Sequence, residues 1–168
     1  MTDNNDKNQS AESVSSLYPD FIPAEEGHPT SAKFVVRDTG DVRGRGVSTK
    51  VAFDEGDRVA RVAGVIAHET TLDTLQITPT LHVSDPWFCR FLLHSCDPNL
   101  ELDLEHLHVT ALKNIAAGEY LTIDYANTDD TVAVQFACQC GAENCRGWIT
   151  GRAQEISAEG RAYIDQQK

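Results

Sequence analysis

No run of lysines or arginines occurs in this chain of 168 residues, which has 14 basic against 26 acidic side chains and a formal net charge of -12. A surface built for nucleic-acid phosphates carries clustered positive charge, so DNA and RNA are not expected as direct ligands. No stretch of about 18 consecutive apolar residues is present, so no membrane-spanning helix is expected. Met1 to Ser16 lacks both an apolar run and a cluster of positive charge, so a secretory leader is not expected either. The chain reads as intracellular, where thiols stay reduced and cysteines favour metal or catalytic roles. There is no internal repeat. An even set of cysteines is also missing: there are five, so a closed disulfide framework would leave one over.

What is present suits one domain with a short tail, since 40% of the residues are hydrophobic and 24% charged. Residues 1–16 read as a disordered acidic tail, after which Leu17, Tyr18, Phe21 and Ile22 can pack onto the domain. From Phe34 onward, short Val- and Ile-rich runs alternate with turns, the pattern of strands and hairpins. Asp85-Pro86 precedes the apolar run Trp87 to Leu93 and predicts a short buried helix, with Asp85 as cap and Pro86 in the first helical position. Leu107 to Leu112 alternates as a strand. Tyr120 to Tyr125 alternates as well, which predicts a strand with Leu121, Ile123 and Tyr125 on one face. Residues 151–168 form an extension expected to be helical, weakened by Gly160. The fold class expected is mostly β with few short helices.

Cys138-Gln139-Cys140 and Cys145 form the pattern C-x-C-x4-C. Three thiolates this close suit one zinc ion, and spacing this tight is hard to reconcile with inert thiols. A structural zinc takes four ligands, so a fourth must come from elsewhere, and Cys89 and Cys96 are the remaining cysteines. His106 and His108, two apart on a strand, would make an incomplete metal site and read as solvated or hydrogen-bonded residues.

Arg90 to Asn99, read as R-F-L-L-H-S-C-D-P-N, is similar to the R-F-x-N-H-S-C-x-P-N motif of SET domains. Gly118 to Tyr125, G-E-Y-L-T-I-D-Y, resembles their second motif, G-E-E-L-T-x-D-Y. Phe136 to Gly141 with Cys145-Arg146-Gly147 looks like the post-SET zinc segment, and Arg43 to Val47 looks like the G-x-G element near a SET domain's start. In this reading residues 31–125 are the SET domain and residues 134–150 the post-SET segment. The resemblance implies a β-clip fold of small sheets with a pseudoknot. It implies a protein-lysine N-methyltransferase using S-adenosyl-L-methionine, with cofactor and lysine entering a narrow channel from opposite faces. It also implies that the fourth zinc ligand is Cys96, completing Cys96, Cys138, Cys140 and Cys145 and leaving Cys89 spare.

By the same resemblance Tyr125 is the catalytic tyrosine, whose hydroxyl orients the amine and polarises the transferring methyl. Gly44, Arg45 and Gly46 would lie beside the methionine part of the cofactor, with Leu93, His94 and Gln139 as further contacts. Trp148 would cover the adenine or the lysine channel, or else anchor the core. Ile123 would line the channel with Tyr125; it is smaller than the aromatic residue often found there, which leaves room for more than one methyl. Two positions depart from the family: Leu93 stands where an asparagine is usual, and Val62 where a tyrosine often helps orient the lysine, with His82 or Tyr120 as possible substitutes. The implied partner is a lysine-containing, basic protein such as a histone-like tail, which the net negative charge would attract. A SET module that binds a protein without catalysis is the alternative.

Overall fold

Strand-forming runs of two to five residues, each ended by a turn, cannot build one large sheet. The computed structural model, which describes residues 14–167, accordingly contains five small ones. Strands β1 (Phe34–Asp38) and β2 (Arg45–Thr49) form an antiparallel hairpin. Strand β3 (Arg58–Arg61) joins β8 (Leu100–Asp103) and β9 (His108–Ala111) in the order β3-β9-β8. A middle sheet, in the order β4-β6-β5, comprises β4 (Val65–Ala67), β5 (Thr74–Thr78) and β6 (Leu81–Ser84). Strands β11 (Phe136–Ala137) and β12 (Trp148–Ile149) pair antiparallel near the end of the chain.

The fifth sheet is the one that matters for the site. Strand β7 (Leu93–His94) pairs in parallel with β10 (Thr122–Ile123), which lies 28 residues further along the chain. Asn99 strengthens this crossing: its carbonyl oxygen accepts the Thr122 N–H at 2.8 Å and its amide donates to the Tyr120 carbonyl at 2.9 Å. Beneath it lies a core of stacked and edge-on aromatics, with Phe34 6.2 Å from Phe53 and 5.1 Å from Phe88. Leu92, Leu100, Val109 and Leu121 complete the centre of that core.

The helix expected after Asp85-Pro86 is only a 3-10 turn, Cys89–Phe91, with Phe88 as its N-cap, so Asp85 is not the cap and Pro86 does not hold the first helical position. The fully buried Asp85 carboxylate accepts the Trp87, Phe88 and Cys89 N–H groups and the Tyr18 hydroxyl. Tyr18 thereby fastens the N-terminal segment to the domain. Of the tail expected over residues 1–16, residues 1–13 lie outside the described residues. Ser15 and Ser16 are not free: Ser16 bridges Thr30, and the Ser15 N–H donates to the Ser31 hydroxyl.

The strand expected from Tyr120 to Tyr125 is cut short. Asp124 caps a one-turn helix, α1 (Tyr125–Thr128), by accepting the Ala126 N–H, so Tyr125 opens a helix rather than ending a strand. A side-chain acceptor at this point offers the backbone an alternative to the sheet ladder. The expected C-terminal helix is α2 (Ala158–Gln166), capped by Ser157. Its glycine has a purpose: a Cβ on Gly160 would lie 2.4 Å from the Trp148 indole nitrogen.

Candidate active site

Tyr125 stands between two cavities. One, of about 410 Å³, is lined by Ile123, Tyr125, Asp129 and Phe136, with Thr70 to Leu75 on the far wall. The other, of about 370 Å³, is lined by Leu93, His94, Tyr125, Phe136 and Cys138 to Cys140, with Val42 and Arg43 at its edge. Tyr125 and Phe136 belong to both, so they form the partition. Their rings meet edge-on at 6.1 Å, and the Tyr125 hydroxyl donates to the Leu92 carbonyl at 2.6 Å. Burial, with a smaller push from Asp129, raises the tyrosine to about 12. Its hydroxyl is therefore a neutral group that donates one hydrogen bond and keeps its oxygen lone pairs for an approaching ligand.

His94 links this partition to the cysteines. Its Nδ1 accepts the Tyr125 N–H at 3.3 Å, which leaves the proton on Nε2, 3.5 Å from Cys96 Sγ. Burial pushes the imidazole down to about 4, against the opposing pull of Asp124, so the ring is neutral at pH 7. Cys96, Cys138, Cys140 and Cys145 place their four sulfurs within 4.8 Å of one another, with Cys96 and Cys138 3.9 Å apart. A tetrahedral zinc with bonds near 2.3 Å requires sulfur separations of about 3.8 Å, so the cluster fits one zinc ion. The fourth thiol is Cys96. Cys89 is buried in the core some distance along the chain and borders the larger cavity.

Arg146, next to the last ligand, ties the cluster to the tyrosine from the other side. Its guanidinium grips both oxygens of the Asp124 carboxylate, one of them at 3.0 Å, and its backbone N–H points at Cys96 Sγ at 3.4 Å. Asp124 thus both caps the helix that begins with Tyr125 and receives the zinc loop.

Other sequence-predicted residues are distributed unevenly around the cleft. Leu93, His94 and Gln139 line the smaller cavity, and Ile123 lines the larger one with Tyr125. Gly44, Arg45 and Gly46 are set back from the cleft, and Val42 and Arg43 stand at its edge instead. Gly44 takes a turn conformation at φ 73°. Gly46 admits the side chain of Leu93, since a Cβ there would lie 2.7 Å from the leucine Cδ1. Trp148 lies away from the Tyr125 partition: it packs on Tyr163 at 5.5 Å, donates to Gln135 and lines a separate groove beneath α2. Val62 faces a different small cavity, and neither His82 nor Tyr120 borders the Tyr125 partition; the Tyr120 hydroxyl donates to the Asp38 carbonyl. Asp129 is missed in the sequence, and Phe136 and Arg146 stand there only as members of the post-SET-like segment, with no role of their own. Asp129 sits four residues after Tyr125, a spacing that brings two side chains together only on a helix.

A family model described as the SET domain matches residues 44–126. Residues 44–126 are similar to a SET domain. Methyltransferase flvH of Aspergillus flavus is 29% identical over 147 residues, covering 83% of this chain and 79% of that protein. Histone-lysine N-methyltransferase Su(var)3-9 of Drosophila melanogaster is 39% identical over 75 residues, covering 34% of this chain but 12% of that protein. The solved structure of KRYPTONITE in complex with mCHH DNA, H3(1-15) peptide and SAH is 26% identical. It superposes with a TM-score of 0.56 over 68% of this chain and 29% of that one. Apart from flvH, these relatives are several times longer than the SET domain they share with this chain. The mostly β, small-sheet architecture is that of SET domains, and the cysteine cluster near the C-terminus is consistent with a post-SET zinc site.

Proposed function

We propose that this chain is a protein-lysine N-methyltransferase that moves a methyl group from S-adenosyl-L-methionine to the ε-amine of a lysine. The observation that carries this reading is the position of Tyr125 in the wall between two cavities, one for each reactant. The smaller cavity suits the cofactor: the His94 and Phe136 rings, 5.7 Å apart, offer flat surfaces to an adenine, and the backbone of residues 138–140 offers polar contacts. Bound cofactor supplies a methyl on an already activated sulfonium, so the protein has mainly to position and desolvate. Tyr125 does both. Its ring separates the reactants from water, and its hydroxyl oxygen, held by the bond to Leu92, faces the amine. Ile123, almost fully buried, sets the width of the passage beside it.

The substrate we propose is a basic protein such as a histone tail. Histone-lysine methyltransferases recur among the relatives, and a net charge of -12 draws in a lysine-rich partner. A histone substrate places the action in the nucleus. KRYPTONITE was solved with DNA, but this chain spans 29% of it and carries no basic run, so we assign DNA no role here. Leu93 favours a second reading, a protein-binding SET module, because it fills the Gly46 contact with apolar atoms where the family has an asparagine.

Calorimetry with S-adenosyl-L-methionine and transfer of labelled methyl to core histones separate the two. Cofactor binding with transfer is expected, and Tyr125→Phe is expected to cut the rate about a hundredfold or more with cofactor affinity nearly unchanged. Mass spectrometry of the product counts the methyls added. No binding at millimolar cofactor would overturn the enzymatic reading.

A further inference from the structure

Asp129 follows Tyr125 by one helical turn, and its N–H donates to the Tyr125 carbonyl at 3.2 Å. Both residues line the larger cavity, whose wall is apolar around Leu75, Ile123, Val132 and Phe136 and polar around Thr70, Thr71 and the Asp73–Arg90 pair. The Asp129 carboxylate is buried, and its Oδ1 accepts the Gln76 N–H at 2.7 Å. Its Oδ2 has no hydrogen-bond partner among the described residues, and no Lys or Arg lies within ion-pair distance. Two further charges line the same cavity, Asp73 and Arg90, and these lie against each other, while Asp130 holds both Arg152 and the Gln76 amide. An asparagine would satisfy the Gln76 N–H equally well at a lower desolvation cost, so the fold has no use for the charge. A cationic ligand does.

We propose that Asp129 is the anionic anchor for the ε-ammonium of the incoming lysine, and that this carboxylate makes the cavity prefer a cationic side chain over a neutral one of the same length. The proposal rests on the methyltransferase reading for the identity of the cavity as the lysine side. The apolar wall takes the methylenes of the stem, while Asp129 receives the charged end before the amine loses its proton and turns to Tyr125. Burial raises the Asp129 carboxyl to about 6, which leaves it mostly ionised at pH 7 and ready to gain from a cation beside it. Asp129 is a binding and positioning residue here; Tyr125 remains the group at the reacting atoms.

The test uses the full chain and two pools of degenerate peptides, one with lysine and one with norleucine at the centre. Wild type is expected to bind the lysine pool about tenfold more tightly, and Asp129→Asn is expected to bring that ratio close to one with cofactor affinity and secondary structure unchanged. Wild type alone gives a second measurement that no folding defect can spoil. Between pH 8 and 5 its preference is expected to fade as the carboxyl protonates, while Arg90 and Arg152 keep their charge and Tyr125 stays neutral. A ratio retained in Asp129→Asn, a ratio independent of pH, or no preference in wild type would overturn the proposal. Cofactor binding and methyl transfer are read separately. Their absence beside an Asp129-dependent lysine preference overturns the enzymatic reading alone, and the reverse result overturns the anchor alone.

Discussion

Gly160 stands in the first turn of a nine-residue helix, where glycine sacrifices up to about 1 kcal/mol of helix propensity relative to alanine. Its neighbour explains the choice. Trp148 lies so close that a Cβ would sit 2.4 Å from its indole nitrogen and 2.6 Å from the adjoining ring carbon. The ring is hemmed in by Tyr163 and by its hydrogen bond to Gln135, so it has no room to yield. Gly160→Ala is therefore expected to destabilise the protein by about 1–2 kcal/mol in spite of the better propensity. Thermal denaturation should show the midpoint lowered by several degrees; a raised midpoint would mean that propensity outweighs packing. Gly46 presents the same logic at the active site, where Leu93 occupies the space a side chain would need.

Among the elements, α1 has the largest consequence for its length. It is one turn long, yet it converts a strand-like sequence into a helical start, points Tyr125 and Asp129 the same way and ends against β5 through the Gln76 backbone. The buried Asp129 makes that junction sensitive to pH. Its carboxyl is raised to about 6 in the folded chain, chiefly by burial, from an unfolded value near 3.8. Between these values the folded state binds more protons than the unfolded state, so stability falls as pH rises from about 4 to about 6 and stays lower above. The ionised group costs on the order of 3 kcal/mol at neutral pH. Asp129→Asn is expected to remove this slope and to raise stability at pH 7, measured by urea unfolding at pH 4.5 and 7. An unchanged slope in the variant would assign it to another group. A strand reading of Tyr120 to Tyr125 hides this pair, because positions four apart on a strand are too distant to act together.

At the scale of the whole molecule, the cysteine cluster ties the segment after β11 to the Tyr125 partition. The four cysteines come from two regions: Cys96 follows β7, and Cys138, Cys140 and Cys145 lie between β11 and β12. Two routes run from them to Tyr125, one through His94 and one through Arg146 and Asp124. Zinc held by these thiolates would fix Cys138 to Cys140 as one wall of the smaller cavity. Cys96→Ser is expected to lower both zinc content, read by elemental analysis, and affinity for S-adenosyl-L-methionine, read by calorimetry, with cofactor binding weakened tenfold or more. Wild-type zinc content in that variant would point to a different fourth ligand.

Much of this protein was legible in its residues alone. The turn-broken Val and Ile runs predict small sheets, the tight cysteine spacing predicts a metal, and the motifs from Arg90 to Asn99 and from Gly118 to Tyr125 resemble those of SET domains. These are local properties, carried by chemistry that neighbouring residues share along the chain. Tertiary structure decided the rest. That Cys96 meets the other three cysteines, which the resemblance implied but spacing alone left open, that Trp148 packs on Tyr163, and that Asp129 lines one cavity with Tyr125 all depend on contacts between segments far apart in sequence or on the switch from strand to helix at Asp124. Composition and spacing constrain what each segment prefers, but a site is a meeting of segments, and only the packed chain determines which of them meet.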